Sequence, residues 1–278
     1  MLHYEDAFQS GDGTKLHENC WSPNGSTKAV VIAIHGFTEH GGRYARLATS
    51  LNENGYKVAA MDLRGHGKSE GDRAYIHSFD DYLSDVRLYI ELVREREPDL
   101  PIFLFAHSMG GAITTLLAIE GALDEIRGVI FSGPAIHIGD KVFPILRRLA
   151  WLASLVFPKL RIVNLGSGRL SRDSMVVDQF QTDPLVFHGC FPVRTANEIL
   201  RAAAKIQENL KSVNVPFLVV QGGSDSIVSP RGSQMLFERA SSADKTLNIY
   251  DGFFHEVVSD PEKELVISDI VEWLDSRL

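Results

Sequence analysis

One stretch, Ile102-Phe-Leu-Phe-Ala-His-Ser-Met-Gly-Gly111, limits what this chain can become. Ile102 to Ala106 form a short apolar run after Pro101, the pattern of a buried strand. Gly110, Gly111, Ala112 and the run Ile113–Glu120 read as a helix. Ser108 therefore stands on a sharp turn from strand to helix, with small residues two places before and after it. Such a turn is a nucleophile elbow. It strains the backbone at the serine and has no room for a side chain larger than methyl at position 106 or 110. In return the hydroxyl is exposed, and the Met109 amide opens a helix whose N-terminal end favours negative charge. The usual pattern is Gly-x-Ser-x-Gly. Ala106 stands at the first glycine, where the end of a strand needs small volume more than positive φ.

The surrounding pattern gives the elbow its context. Residues 4–10 and 15–21 flank Gly11-Asp-Gly13 and read as an edge hairpin. Ala29–Ile34 is a continuous apolar run, a buried strand. Tyr44, Leu47 and Leu51 recur at helical spacing, and Gly55 closes that helix. Lys57–Met61 is the next strand. Ser78-Phe-Asp-Asp81 resembles a capping box and opens a helix with Phe79, Tyr82, Leu83, Val86, Ile90 and Val93 on its inner face. Gly128–Phe131 is a strand ending at Ser132-Gly-Pro134. Strand and helix alternate from 29 to 134, the signature of a mostly parallel sheet covered on both faces.

The alternation stops over 135–211, where no clear buried strand is visible. It resumes with strand Pro216–Gln221, helix Pro230–Arg239, strand Thr246–Tyr250 and a helix from Pro261 to Ser276. An insertion after a strand of such a sheet lies over the carboxyl ends of the strands, where ligands bind. The reading is a core of residues 1–134 and 212–278, with 135–211 as a cap.

A serine hydroxyl needs a base, and the base needs an orienting acid. On this scaffold the chain order is serine, acid, histidine. His255 is the only histidine after residue 188 and lies in Asp251-Gly-Phe-Phe-His-Glu256, after a strand and before the last helix. Asp225 lies in Gly222-Gly-Ser-Asp-Ser-Ile-Val228, after the preceding strand. Asp251 is too near His255 in sequence to reach its far ring nitrogen, and Asp260 is expected to cap the last helix. The amide of Phe37, in His35-Gly36-Phe37, is the expected second oxyanion donor beside Met109. His35 and His107 read as scaffold.

Bulk properties remove other classes. The 278 residues are 44% hydrophobic and 23% charged, ordinary for a globular protein that buries its own core. A net charge of −8 with no basic run argues against a nucleic-acid partner. Ten histidines lie scattered, and His255-Glu-Val-Val-Ser259 lacks the second histidine of a zinc helix, so no metal is expected. Gly65-His-Gly67 is too short for a dinucleotide loop and reads as a structural turn; no cofactor is expected. Cys20 and Cys190 make no disulfide framework. Met1–Asp6 carries neither a basic nor an apolar leader pattern, and no run of 18 apolar residues occurs. A cytoplasmic setting is the expectation.

Four segments carry a resemblance: His35-Gly-Phe-Thr-Glu-His-Gly-Gly-Arg-Tyr44, Asp62-Leu-Arg-Gly-His-Gly-Lys-Ser-Glu-Gly71, Ala106–Gly111 and Thr182-Asp-Pro-Leu185. Over nearly its whole length the chain resembles an α/β-hydrolase of the monoacylglycerol lipase and lysophospholipase group. The resemblance implies ester hydrolysis through an acyl-enzyme, and places Glu39 and Arg43 in a polar pocket for the glycerol end. The same two residues also read as a plain i,i+4 ion pair. The apolar stretch Val142–Lys159 reads as a cap helix lining an acyl tunnel, leaning on a membrane or micelle surface, or simply packing. The leading expectation is a monoacylglycerol lipase, with lysophospholipase or broad carboxylesterase as alternatives. An α/β-hydrolase-fold receptor with little turnover is the alternative of another class. Oligomeric state is not readable.

Overall fold

The computed structural model describes residues 1–137, 154–163 and 169–278. Its centre is an eight-stranded sheet in the order β1-β2-β4-β3-β5-β6-β9-β10. β1 (Leu2–Gln9) and β2 (Lys15–Ser22) form the antiparallel edge hairpin, and β2 pairs antiparallel with β4 (Tyr56–Met61). From β4 onward every pairing is parallel: β3 (Ala29–Ile34), β5 (Ile102–His107), β6 (Gly128–Ser132), β9 (Phe217–Gly222) and β10 (Lys245–Tyr250). This is the mostly parallel sheet that the strand–helix alternation led us to expect, in the α/β-hydrolase fold that the resemblance implied.

The continuous apolar strands are explained by burial on both sheet faces. In β3, Val30, Ile32 and Ile34 enter one core, and Ala29, Val31 and Ala33 enter the other. The first core is covered by α2 (Phe79–Arg96) and α3 (Met109–Ile119), the second by α1 (Ala45–Glu53) and the last helix, α7 (Lys263–Asp275). The Ser78 capping box is present, with the Asp81 carboxylate accepting from the Ser78 amide. α6 spans Pro230–Arg239, with proline at its start.

Between β6 and β9 lie β7 (Arg161–Val163), α4 (Ser174–Thr182), β8 (Phe191–Pro192) and α5 (Val193–Asn209). β7 and β8 pair antiparallel, a short sheet with the buried Phe191 that periodicity did not reveal. Two or three residues are too few to display an alternation. α5 packs back on the first core through Ala202 and Ile206, and its Thr195 hydroxyl bridges Ala74 and Ile76. Val142–Ala153, most of the apolar stretch noted above, lies outside the described residues.

Candidate active site

The site grows from the carboxyl ends of β3, β5, β9 and β10. Ser108 follows β5 with φ 51° and ψ −113°, a left-handed strain. The strain is held by neighbours. The Ser108 amide donates to the Ser132 carbonyl at 3.0 Å, and the Ser108 carbonyl accepts from the Ala135 amide at 2.9 Å. Ala106 is wholly buried with ordinary strand φ, so small volume suffices there. Gly110 is more demanding than expected. Even a methyl there would collide with the carbonyl oxygen of Ile34.

The loop after β3 is tied down on either side of Phe37. His35 Nε2 accepts from the Leu63 amide at 2.8 Å, so its Nδ1–H donates to the Gly36 carbonyl at 2.7 Å. Burial pushes this ring's pKa down and keeps it neutral. The Gly36 amide donates to Glu39 Oε1 at 2.6 Å. The carbonyl of Thr38, at φ 70°, accepts the Phe187 amide at 2.9 Å. Among the described residues the amides of Phe37 and Met109 have no hydrogen-bond partner.

His255 and Asp225 come together although 30 residues separate them. His255 Nδ1 lies 2.7 Å from Asp225 Oδ2, and both side chains are buried. Asp225 Oδ1 accepts the amides of Ile227 and Val228, and Gln221 donates to Oδ2 at 3.1 Å. Burial works against the carboxylate's charge, yet the His255 N–H and those amides hold its pKa below the ordinary range. An ionised carboxylate only accepts, so Nδ1 carries the proton and Nε2 of His255 is left as the acceptor. His107 lies 4.6 Å from His255 ring to ring, with its Nδ1 on the Ser132 carbonyl. Burial, then the neighbouring His255, push its pKa down, which fits a neutral scaffold ring.

Ser108 and His255 line one cavity of about 280 Å³. The Ser108 hydroxyl is hydrogen-bonded to none of the described residues, His255 included. In unliganded sites this contact often tightens only around a substrate. The lining divides by chemistry. Leu170, Phe180, Phe187, Phe191 and Ile227 are apolar, whereas Glu39, Arg43 and Glu256 are charged. Arg43 Nη1 reaches Glu39 Oε2 at 2.8 Å and Glu256 Oε1 at 2.8 Å, while Nη2 reaches Glu256 Oε2 at 3.0 Å. Glu39 and Arg43 are thus an i,i+4 pair, and more besides.

Asp260 does not cap the last helix. Its wholly buried carboxylate accepts from the Ser171 hydroxyl, the Arg172 amide and guanidinium and the Phe254 amide, because the segment at Ser171 and Arg172 crosses the histidine loop there. Glu262 occupies the capping position instead. Asp251 is exposed. Gly65 and Gly67 both take positive φ, the structural turn expected of them. Two further partners had only weak signals in the sequence. Glu256 simply follows His255, and His40 meets Asp183 of the Thr182–Leu185 motif at 3.0 Å, joining two motifs far apart in the chain.

The chain matches the family described as serine aminopeptidase, S33 (Hydrolase_4), over residues 25–262. It belongs to that family of hydrolases. The hydrolase is 32% identical to a monoacylglycerol lipase of Mycolicibacterium smegmatis over 274 residues, covering 99% of this chain and 98% of that one. It is 34% identical to human monoglyceride lipase over 281 residues, covering 99% and 92%. A solved structure of Paleococcus ferrophilus monoacylglycerol lipase superimposes with a TM-score of 0.81 at 31% identity, covering both chains fully.

Proposed function

We propose that this hydrolase is a monoacylglycerol lipase. Ser108 Oγ attacks the ester carbonyl, and His255 Nε2 takes its proton. Asp225 holds the imidazole tautomer and stabilises the imidazolium. The Phe37 and Met109 amides stabilise the oxyanion, each contributing roughly 3–4 kcal/mol in the transition state. Collapse breaks the ester bond, and His255 returns the proton to the leaving glycerol oxygen. Water, activated by the same histidine, then releases the fatty acid.

The observation that carries this reading is the 2.7 Å contact between His255 and Asp225 in a cavity shared with Ser108. The lining supports the substrate class. Phenylalanines and Leu170 suit an acyl chain, and Glu39 and Arg43 keep spare hydrogen-bonding capacity for glycerol hydroxyls. Two carboxylates against one guanidinium leave this lining net negative, which disfavours a lysophospholipid's phosphate. Both carboxylates are engaged by Arg43, which argues against binding a peptide's α-amino group. Relatives named monoacylglycerol lipase from a bacterium and from human support the same class.

Residues 135–211 serve in this reading as a cap that touches lipid surfaces transiently. Leu155, Val156 and Phe157 are 52%, 67% and 62% exposed, and Leu160 is exposed beside them. No described helix is long and apolar enough to cross a membrane, so such contact would be peripheral.

The test is steady-state hydrolysis of a medium-chain monoacylglycerol, the matching lysophospholipid and a p-nitrophenyl ester, with Ser108→Ala as control. Fast monoacylglycerol turnover, abolished in the variant, is expected. Turnover of the aryl ester alone would keep the serine chemistry and remove the lipid assignment. No turnover by folded protein would leave a receptor.

A further inference from the structure

Glu256 takes no part in the mechanism above, yet it is buried at the cavity wall and bound more tightly than a surface acid. Its carboxylate receives two parallel N–H···O bonds from Arg43, at 2.8 and 3.0 Å. Such a fork fixes both distance and angle. Arg43 also lies over the Phe180 ring, 4.7 Å from its centre, and reaches Glu39 at 2.8 Å. Glu39 in turn accepts the Gly36 amide at 2.6 Å and the Tyr44 hydroxyl at 3.0 Å. An unbroken path therefore runs from His255 through Glu256, Arg43, Glu39 and Gly36 to the Phe37 amide. It joins the end of the sheet after β10 to the end after β3.

We propose that Glu256 is a positioning residue which, through Arg43 and Glu39, sets the oxyanion loop against the histidine loop. This deepens the ester-hydrolase reading and rests on it. The physical case is one of buried charge. Burial would push the Glu39 carboxyl up, but Arg43 and the Gly36 amide hold it below the usual range. Neutralising Glu256 removes one of the two charges that anchor Arg43, breaks the two-bond fork and frees the guanidinium to swing. Removing Arg43 instead leaves two buried carboxylates facing each other, a larger disturbance. A shift of about 1 Å in a catalytic group costs on the order of 100-fold in rate.

The discriminating experiment uses two esters. p-Nitrophenyl acetate has no polyol alcohol, so contacts to glycerol cannot affect its hydrolysis; a monoacylglycerol tests both possibilities. Glu256→Gln is expected to lower kcat roughly 10- to 100-fold on both substrates, with KM nearly unchanged. Glu256→Asp, which keeps the charge, should recover part of the loss. Should Glu256→Gln fail to fold, Arg43→Lys keeps the charge but loses the fork, and the same fall on both esters is expected. The proposal is overturned if the loss is confined to KM for the monoacylglycerol, which would make Glu256 a glycerol contact. It is also overturned if the unfolding midpoint drops while both kcat values stand, which would make the bridge purely structural. Wild type that cleaves only the aryl ester would sink the lipid assignment and leave this inference testable on that ester. Wild type that cleaves neither would sink both.

Discussion

The loops that bear Ser108, Phe37 and His255 leave strands whose neighbours β3, β5 and β9 are wholly buried, whereas Leu155, Val156 and Phe157 of the cap are more than half exposed. The core loops are held by hydrogen bonds around the two free amides: Leu63 to His35, Gly36 to Glu39, Ser108 to Ser132, Ile227 and Val228 to Asp225. Among the described residues of the proposed cap, the contacts to those loops are fewer: hydrogen bonds and ion pairs such as Phe187 to Thr38, Asp183 to His40 and Arg172 to Asp260, and apolar contacts of Phe191 on Phe37 and of Leu170, Phe180 and Val186 on Ile227. The contrast follows from what each side has to do. Stabilising a developing oxyanion needs donors that do not reorganise, so they sit on a packed sheet. Admitting an acyl chain needs an apolar surface that substrate can reach, and such a surface is costly to leave exposed.

The strongest way to break this comparison is at the acid. Asp225→Asn keeps the volume but lets the wrong tautomer of His255 form, and kcat should fall about 10⁴-fold in steady-state assays. A surviving rate near wild type would mean that the 2.7 Å contact is only structural. Next comes the turn itself. Gly110→Ala drives a methyl into the Ile34 carbonyl, and denaturant unfolding should show a loss of about 1–3 kcal/mol. An unchanged midpoint would show that the core loop yields as a cap would.

Acid sensitivity should also belong to the core. Asp62 is buried beneath the site, accepts the Gly41 and Lys68 amides and pairs with His17 at 3.2 Å. Burial opposes its charge, but His17 and those amides bring its pKa down from 3.8 to about 2. The folded value lies below the unfolded one, so the carboxylate's contribution, about 2 kcal/mol, is complete well above pH 3.8 and fades as pH falls towards 2. The stability gap between wild type and Asp62→Asn should therefore widen as pH falls from 7 to 6, where His17, whose pKa that carboxylate raises, takes up its charge, hold near pH 5 and close below that, as read by urea melts at each pH. The smallest effect is expected in the cap. Phe157→Asp should leave p-nitrophenyl acetate turnover unchanged and cut activity on micellar monoacylglycerol a few-fold. Liposome flotation of both proteins checks the cause, and wild type that stays with the soluble fraction removes the membrane contact.

Much of this was legible before any coordinates. The apolar runs at 29–34, 102–106 and 217–221 are strands because residues buried on both faces leave a continuous pattern over five or six positions. The places of Ser108, Asp225 and His255 after strands, in a set chain order, mark them in the sequence as the serine, acid and base that we propose. The short β7–β8 pair was missed because two- and three-residue strands carry no period. Asp260 was misread because an acid before a helix looks like a cap whether or not a distant arginine claims it.

By itself the sequence determined the parallel sheet, the strained serine turn and the places of His255 and Asp225 after their strands, which are written in neighbouring residues and repeated spacings, while four motif segments carried the resemblance to a hydrolase family. Only the tertiary structure decided that Glu256 grips Arg43 across 213 residues, that His40 meets Asp183 and that Arg172 seals Asp260. Local periodicity records which face of a strand or helix is buried, but it holds no record of which charge lies opposite, and that is settled when the loops close over one cavity.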